Sequence, residues 1–337
     1  MCLTYTHQNM GVGMTTDKLK YFSRFWPRVG AWFIDAVLLG IVGYAIGWMA
    51  MDYVSPLGAN GRFFGLAAGV LYNGILGSSL GGGRTVGKRL LGLKVVGLNG
   101  KPLNLFVSLW RALFLVVPGI LNGWYFNVTD PFSVQVLTLV AITAVFGIGL
   151  AQVYLLLFGW PARRLVHDLV SGSVVIRAET GQFPTPKVGV HVVVATGIVL
   201  LALGLAMAGP AMLKAWMPKF ETLLAPQQKV VDAVGRLPEV GEVSVQDSTM
   251  TFYSNGQQST TRTLIVTART GKWPADTDAL LAKIGAQAVK VYSFAPGQRL
   301  TVKIVRGFDL GIASYTEARS APYVTTCTTA NVKCLEK

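Results

Sequence analysis

The sequence predicts a polytopic α-helical membrane domain of about five transmembrane helices, followed by a C-terminal two-layer α+β domain. The first observation is composition: the 337 residues are 52% hydrophobic and only 14% charged, whereas soluble domains carry about 25% charged residues. The second is the distribution of acidic residues, because residues 1–209 contain six of the 16 and residues 210–337 contain the rest. This composition argues against an ordinary soluble enzyme, a collagen-like chain or a disulfide-rich miniprotein.

Five apolar segments are candidate membrane spans, because an α-helix needs about 20 residues to cross a bilayer. The third segment is short and contains Pro118, so it is the weakest candidate for a complete crossing. The segments cover approximately residues 29–54, 63–80, 112–126, 134–158 and 188–208. We divide the chain into an N-terminal segment (1–28), a transmembrane domain (29–178), a fifth transmembrane helix (188–208) and an α+β domain (210–337). We expect no cleavable signal peptide, because the first apolar run is too long for one.

Basic residues predict the orientation of these spans. Fourteen Lys and Arg lie before the first span, between the second and third, and between the fourth and fifth, whereas the alternate loops contain only Arg62. Because Lys and Arg accumulate in cytoplasmic loops, we expect a multi-pass protein of the cell (inner) membrane with a cytoplasmic N-terminus. Residues 210–337 are then extracytoplasmic, unless the third segment fails to cross. The net charge of +14 is thus attributed to membrane lipid as a partner, not to nucleic acid.

Asp35 is the charged residue that most needs an explanation. It lies eight residues beyond Pro27, which is about 12 Å along a helix and therefore inside a hydrocarbon core about 30 Å thick. A carboxylate at that depth is destabilising unless it is protonated or paired. Asp35 is therefore either a transport group or part of a structural ion pair, and Arg28, two helical turns earlier, is expected to have a partner elsewhere.

Other polar motifs have weaker functional interpretations. His167-Asp168 is either a proton relay or, as we prefer, an interfacial pair satisfied by Arg163, Arg164 or Lys88. Gly82-x-x-x-x-Gly87-Lys88 copies part of a phosphate-binding loop, but Arg89 follows where Ser or Thr is needed, so it predicts a basic turn near anionic lipid. We expect no cofactor and no metal site, because the three His are scattered along the chain.

Two cytoplasmic segments have similar sequences. Residues 88–96 and residues 163–175 each contain a basic pair, then Leu, then a Gly shortly before Val-Val. The match is short, and an internal duplication is one interpretation of it.

Three ordered motifs carry a resemblance to a known family. They are Arg28-x-x-Ala31-x-x-x-Asp35, then Thr85-Val86-Gly87-Lys88-Arg89-Leu90-Leu91-Gly92-Leu93-Lys94-Val95-Val96, and then Arg164-Leu165-Val166-His167-Asp168-Leu169-Val170-Ser171-Gly172-Ser173-Val174-Val175. Over about residues 20–178 the chain resembles the RDD family of membrane proteins, which is named for one Arg and two Asp. The resemblance maps these onto Arg28, Asp35 and Asp168, and Trp110-Arg111-Ala112-Leu113 fits the family's Arg-bearing segment. Ser173 stands where the family usually has Thr.

Membership of this family implies a multi-spanning helical domain but does not select an activity. One branch of the family has been linked to sodium/proton exchange, and another serves as a membrane assembly module. Most members have no assigned activity.

The C-terminal region predicts its own core. Helices are expected after Pro226 and from Trp273-Pro274, and strands at residues 242–245, 250–253, 263–267, 300–305 and 311–315, in the order α-β-β-β-α-β-β. The domain contains no His, so a Ser-His-Asp or Cys-His nucleophile cannot be assembled within it. We therefore expect a binding domain, not an enzyme.

The combined features predict an ion- or proton-coupled transporter of unknown substrate, moving monovalent cations or protons. In this hypothesis Asp35 titrates while Arg28 and Asp168 gate or position it. The remaining candidate residues are His167, Lys88, Arg89, Arg111 and Arg164. The alternative is a non-transporting anchor, assembly or sensing protein whose residues 210–337 bind a protein partner. A wet cavity at the paired acids favours the first hypothesis, and a closed ion-paired cluster favours the second.

Cys327 and Cys334, the two Cys of the C-terminal region, provide a first prediction. If residues 210–337 lie outside the cytoplasm, we expect these thiols to form a disulfide, which would stabilise the tail by roughly 2–3 kcal/mol. Alkylation of fresh membranes with and without reductant measures this. Two thiols that react without reductant would contradict both the disulfide and the outside placement.

Overall fold

The computed structural model describes residues 21–124, 131–181, 183–186, 189–216, 220–254, 257–295, 297–325 and 335–336. The chain divides into two compact units. The first consists of Met1–Gly43 with Arg62–Gly209, and the second of Tyr44–Gly61 with Pro210–Lys337. The segment that follows the first apolar helix therefore belongs with the C-terminal region. Cys327 and Cys334 lie outside the described residues.

The N-terminal two thirds of the chain are mainly helical. The helices are α1 (Phe25–Met49), α2 (Met51–Val54), α3 (Arg62–Gly77), α4 (Val86–Leu90), α5 (Leu105–Leu121), α6 (Pro131–Ile142), α7 (Leu150–Phe158), α8 (Val166–Val170) and α9 (Val190–Trp216). A 3₁₀ segment, Ser55–Gly61, follows α2, and a π-helical segment, Thr143–Gly149, joins α6 to α7. Among the described residues, three helices are long and apolar enough to cross a membrane: Phe25–Met49, Val136–Phe158 and Val190–Met212.

The other two predicted spans are shorter helices. Helix α3 has 16 residues and α5 has 17. Helix α5 begins seven residues before the predicted segment, because the Asn104 side chain caps it by accepting a hydrogen bond from Val107 N at 2.9 Å. It ends before Gly123, whose φ of 74° is left-handed.

Glycines bring α3 and α5 into close contact. A Cβ on Gly69 would lie 2.9 Å from Val116 Cγ1, and a Cβ on Gly74 would lie 2.4 Å from Leu109 Cδ2. Small residues allow helix backbones to approach closely in membranes, where van der Waals packing drives association. These glycines therefore define the interface between the two shorter helices.

The two similar segments have the same local structure, but the structural register differs from that of the sequence match. Each copy is a short helix, a left-handed Gly and a strand: α4, Gly92 and β1 (Leu93–Gly97), then α8, Gly172 and β2 (Ser173–Arg177). Every element of the second copy lies 80 residues after its counterpart. Lys88 therefore matches Asp168, not one of the basic pair at 163–164. The two strands pair antiparallel, with Val95 opposite Val175.

The described part of the second unit after Trp216 contains a five-stranded sheet and two helices. Its elements are α10 (Phe220–Gly235), β3 (Glu242–Ser254), β4 (Gln257–Arg269), α11 (Thr277–Val291), β5 (Arg299–Asp309), β6 (Ser314–Thr325) and β7 (Leu335–Glu336). The strand order is β3-β4-β5-β6-β7, with β4 and β5 parallel and the other pairs antiparallel. One core joins both helices to alternate strand residues, including Val234, Ile284, Val266 and Ile304.

The predicted strand order needs two corrections. Residues 242–245 and 250–253 belong to one continuous strand, because the polar residues between them pair in register with β4, as Asp247 does with Leu264. The predicted strand at 311–315 starts later, at Ser314, since Gly311 adopts a left-handed turn with φ of 72°. The described order is therefore α-β-β-α-β-β, followed by the short β7.

The α3–α5 interface predicts a position-specific effect of added methyl groups. Gly74→Ala should destabilise the protein by about 1–3 kcal/mol, because the new Cβ would overlap Leu109. Gly119→Ala is the matched control on α5, where a Cβ meets no atom within 4 Å. Melting of the detergent-purified protein measures both, and equal melting temperatures for the two variants would contradict the packing.

Candidate functional site

Three segments of the first unit meet at the candidate site. Phe22, just before α1, forms a bridge with Ile176 of β2, and β2 pairs with β1. The backbone N–H of Ser23 donates to Val175 O at 3.3 Å. The segment before α1 and the segments that contain β1 and β2 therefore lie together. Their basic residues had predicted that all three lie on the same side of the membrane.

Asp168 is the centre of a buried ion-pair cluster. Arg111 donates to its Oδ1 from Nε at 3.0 Å and from Nη2 at 2.7 Å. Arg28 Nη1 lies 3.6 Å from Oδ2, and Leu165 N donates to the same oxygen at 3.3 Å. Burial alone would raise the pKa of Asp168, but the charges of Arg111 and Arg28 outweigh it and hold that pKa well below its ordinary value. Asp168 therefore stays ionised and paired.

Arg28 joins the start of α1 to the segment before α8. Its Nη2 donates to Ala162 O at 3.1 Å and to Val175 O at 3.3 Å, and its Nη1 donates to Arg163 O. The guanidinium is thus held mainly by backbone carbonyls. An Arg side chain suits this geometry, because its planar guanidinium presents several hydrogen-bond donors at once.

Asp35 has a separate set of partners. Its Oδ1 accepts from Tyr72 OH at 2.6 Å and from Gly87 N at 2.8 Å, and its Oδ2 accepts from Thr85 Oγ1 at 2.5 Å. Asp35 is buried, and its three donors come from α3 and from the start of α4. The carboxylate therefore joins α1 to the first repeat copy, while Asp168 belongs to the second.

Gly87 permits this contact. A Cβ at Gly87 would lie 2.2 Å from Ala31 O, so only glycine lets α4 approach α1 closely enough for its N–H to reach Asp35. This contact also argues against a phosphate-binding loop at residues 82–88, because the Gly87 N–H already donates to the Asp35 carboxylate. Local sequence does not reveal Gly87, Thr85 or Tyr72 as partners of Asp35, although Thr85 and Gly87 lie in the family motif.

Lys88 lies between the two acidic centres. Its Nζ donates to Thr85 Oγ1 at 3.2 Å, and Thr85 in turn donates to Asp35. Burial, followed by the charge of Arg111, lowers the pKa of Lys88 to about 8, although the charges of Asp35 and Asp168 oppose the shift. Lys88 is therefore the member of the cluster that is closest to titrating near neutral pH.

His167 is held as a neutral imidazole. Its Nδ1 lies 2.6 Å from Gln152 Oε1, and its Nε2 lies 3.5 Å from Asp168 Oδ1. Gln152 also donates to Phe114 O at 3.0 Å. Burial lowers the pKa of His167 to about 3. A charged histidine relay is thus not present at neutral pH.

The other predicted residues have structural partners. Arg164 donates to Ser173 O at 3.0 Å, and Arg89 donates to Gly81 O at 3.1 Å. The expected partners of Asp168 were Arg163, Arg164 or Lys88, but its ion pairs are with Arg111 and Arg28. These partners come from distant points of the chain, which local sequence cannot reveal.

A cavity of about 380 Å³ lies beside the site in the first unit. Its lining is mainly apolar, including Leu155 and Trp160, with Arg164 and His191 as polar members. Neither Asp35 nor Asp168 lines this cavity. Among the described residues, no group of three His, Cys, Asp or Glu is placed to hold a metal ion.

The comparisons with known proteins agree with this location. The model of the RDD family matches residues 22–172, which include Arg28, Asp35, Arg111 and Asp168. No curated protein and no solved structure matches the chain. The α+β region beyond the match is separate from it.

The pKa of Lys88 predicts a pH-dependent stability. Because the folded value of about 8 is below the ordinary 10.5, the unfolded chain holds the proton more tightly over that range. The free energy of unfolding contributed by Lys88 therefore rises as the pH increases from about 8 to 10.5. Relative to Lys88→Met, wild-type protein should gain thermal stability across this window. A stability difference that does not change with pH would contradict the buried amine, and Lys290→Met, at an exposed position, is the control.

Proposed function

We propose that this chain, whose residues 22–172 belong to the RDD family, is a membrane protein that binds a partner and does not transport. In this proposal the family region is a closed, ion-paired scaffold, and the C-terminal unit is the binding part. We propose no enzymatic activity for it.

This proposal rests on the hydrogen bonds and ion pairs that already occupy the carboxylates of Asp35 and Asp168. Asp35 accepts three hydrogen bonds, and Asp168 accepts charged bonds from Arg111 beside a second guanidinium. A coupling acid in a transporter must lose its partners and reach water during the cycle. Separating a buried ion pair is destabilising by about 3–5 kcal/mol, so this cluster favours a permanent structural role.

One observation favours proton-coupled transport as a second candidate. Lys88 has a pKa of about 8 and connects to Asp35 through the hydroxyl of Thr85. A proton could therefore be exchanged at Lys88 near neutral pH. The experiment below separates this candidate from the scaffold.

The arrangement of the loops supports five crossings. The loop before α5 and the loop after α7 lie on one side, because β1 and β2 pair. The helix Val136–Phe158 is long enough to cross, so the chain returns to that side only if α5 crosses as well. The same reasoning applies to α3, because Phe22 and β1 both lie beside β2.

Contacts within the second unit support the placement of the C-terminal domain outside the cytoplasm. Ser55, which follows α1 and α2, donates to Thr270 O at 3.2 Å and accepts from Gly307 N at 3.4 Å. This segment lies at the opposite end of α1 from the basic residues. Together with the cytoplasmic preference of Lys and Arg, this supports a protein of the cell (inner) membrane that contacts lipid and presents residues 210–337 to an outside partner.

Flux in reconstituted vesicles tests the scaffold against the transporter. We expect no proton-coupled flux of monovalent cations above protein-free vesicles. Asp35→Asn should lower the free energy of unfolding by about 1.5–3 kcal/mol, since the NH2 group that replaces one carboxylate oxygen cannot accept the hydrogen bond donated to that oxygen. Asp232→Asn, an exposed acid, is the matched control. Wild-type flux that is abolished by Asp35→Asn in a folded protein would overturn the proposal.

Reporter fusions test the topology. A phosphatase fused after Lys337 should be active outside the cytoplasm, and a fluorescent protein that matures only inside should be dark there. Fusions after Arg177 should give the reverse result, because that residue lies beside the basic segments. A cytoplasmic signal at Lys337 would remove one crossing from the proposed five.

A further inference from the structure

The second unit contains an open cavity of about 490 Å³. Its walls come from the end of α1, the segment after it, and the sheet. Most of the residues that line it are aromatic or acidic. The lining includes Trp48, Asp52, Tyr53, Trp273, Arg306, Tyr315 and Glu317.

Among the residues that line the cavity, the acidic side chains outnumber the basic ones. Arg306 pairs with both of its carboxylates: with Asp52, and with Glu317 Oε1 at 3.5 Å from Nη1. Trp273 Nε1 also donates to Glu317 Oε1, at 2.7 Å. Among the lining residues, one guanidinium therefore serves two carboxylates. The Asp52 side chain is 58% exposed, so it remains accessible to a second cation.

Aromatic rings surround these carboxylates. Trp48 and Tyr315 pack edge to face, with ring centroids 5.1 Å apart. Trp48 is 53% exposed and Tyr53 is 83% exposed, so both keep surface free for a ligand. One ring of the cavity already holds a cation, because the Arg319 guanidinium lies 4.6 Å from the centroid of Trp273.

Membrane anchoring explains only part of this arrangement. Trp and Tyr at the end of a membrane helix commonly lie at the depth of the lipid headgroups, which accounts for Trp48 and Tyr53. It does not account for Tyr315 and Glu317 on a strand of the sheet, in the same cavity. Aromatic faces combined with carboxylates are the chemistry that selects ammonium ions.

We propose that this cavity binds an organic ammonium group, held against Trp48, Tyr53 and Tyr315 and neutralised by Asp52 and Glu317. The ammonium could come from a lipid headgroup or from a free amine, and its chemistry at the cavity is the same. This inference deepens the proposed binding role of the C-terminal unit by naming a ligand class. The binding experiment below is independent of the flux experiment above, so either proposal can fail alone.

The test is a titration of the full-length protein in nanodiscs of an anionic lipid, phosphatidylglycerol. The probes are choline and its uncharged carbon isostere, 3,3-dimethyl-1-butanol, with binding followed by saturation-transfer NMR of the methyl groups. We expect saturable binding of choline and at least roughly tenfold weaker binding of the isostere, because the neutral molecule lacks the cation–π and charge attraction. Equal binding of the two probes would overturn the proposal.

Variants assign the binding to this cavity. Trp48→Leu and Glu317→Gln should each weaken choline binding roughly tenfold. Tyr53→Leu should also weaken it, and because Tyr53 is 83% exposed this variant tests the site without affecting folding. The matched controls are Tyr253→Leu and Glu239→Gln, an exposed ring and an exposed acid outside the cavity. Unchanged affinity in Tyr53→Leu and Glu317→Gln, with both folded, would overturn the proposal.

Nanodisc composition distinguishes the two sources of the ligand. If the headgroup of a zwitterionic lipid occupies the cavity, phosphatidylcholine nanodiscs should reduce the apparent affinity for free choline relative to phosphatidylglycerol nanodiscs. If the ligand is a free amine, the two affinities should agree. Both results support an ammonium site, whereas no choline binding in either nanodisc would overturn it.

Discussion

The buried carboxylate of Asp168 is the constraint on which the first unit depends. It brings together the start of α1 through Arg28, helix α5 through Arg111, and its own short helix through Leu165 N. If the carboxylate were absent, two guanidinium groups would remain buried without their counter-ion, which is strongly destabilising. The three basic segments can therefore lie together only because this negative charge offsets their repulsion.

The two copies of the internal repeat each contact a different aspartate of the family motifs. Each copy has a short helix whose N-terminal amide is bonded to an aspartate: Gly87 N to Asp35 in the first, and Leu165 N to Asp168 in the second. At equivalent positions the two copies carry Lys88 and Asp168, so they are opposite in charge. The paired strands β1 and β2 then hold both charges near the same helices. A polar cluster arranged in this way specifies a single packing of the helices, which suits a scaffold.

The second unit assigns a different role to the end of α1. The segment at residues 44–61 packs with the C-terminal sheet, where Ser55 bonds to Thr270 and Gly307. Aromatic residues at and just after the end of α1, Trp48 and Tyr53, line the same cavity as Tyr315 and Glu317 of the sheet. A segment inside the RDD match therefore contributes to a cavity of the C-terminal region.

Sequence alone identified apolar segments long enough to cross a membrane and the RDD motifs that contain Arg28, Asp35 and Asp168. These properties follow from composition, from hydropathy over continuous segments and from short motifs, all of which are local. It also indicated the core residues of the C-terminal helices, such as Ile284, because a 3.6-residue period marks one buried face. The predicted start of α5 was wrong, because the Asn104 cap begins the helix earlier. The prediction of two separate strands in place of β3 was also wrong, because pairing with β4 continues through the polar residues between them.

Only the tertiary structure determined which charged and polar groups pair with each other. Asp168 finds Arg111 57 residues away, and Asp35 finds Gly87 52 residues away, and no pattern in the intervening sequence specifies either contact. The choice depends on the close approach at Gly87 and on the antiparallel register of β1 and β2. Long-range electrostatic pairing is a property of the folded arrangement, because a charge is stabilised by whichever partner the packing brings within a few ångströms.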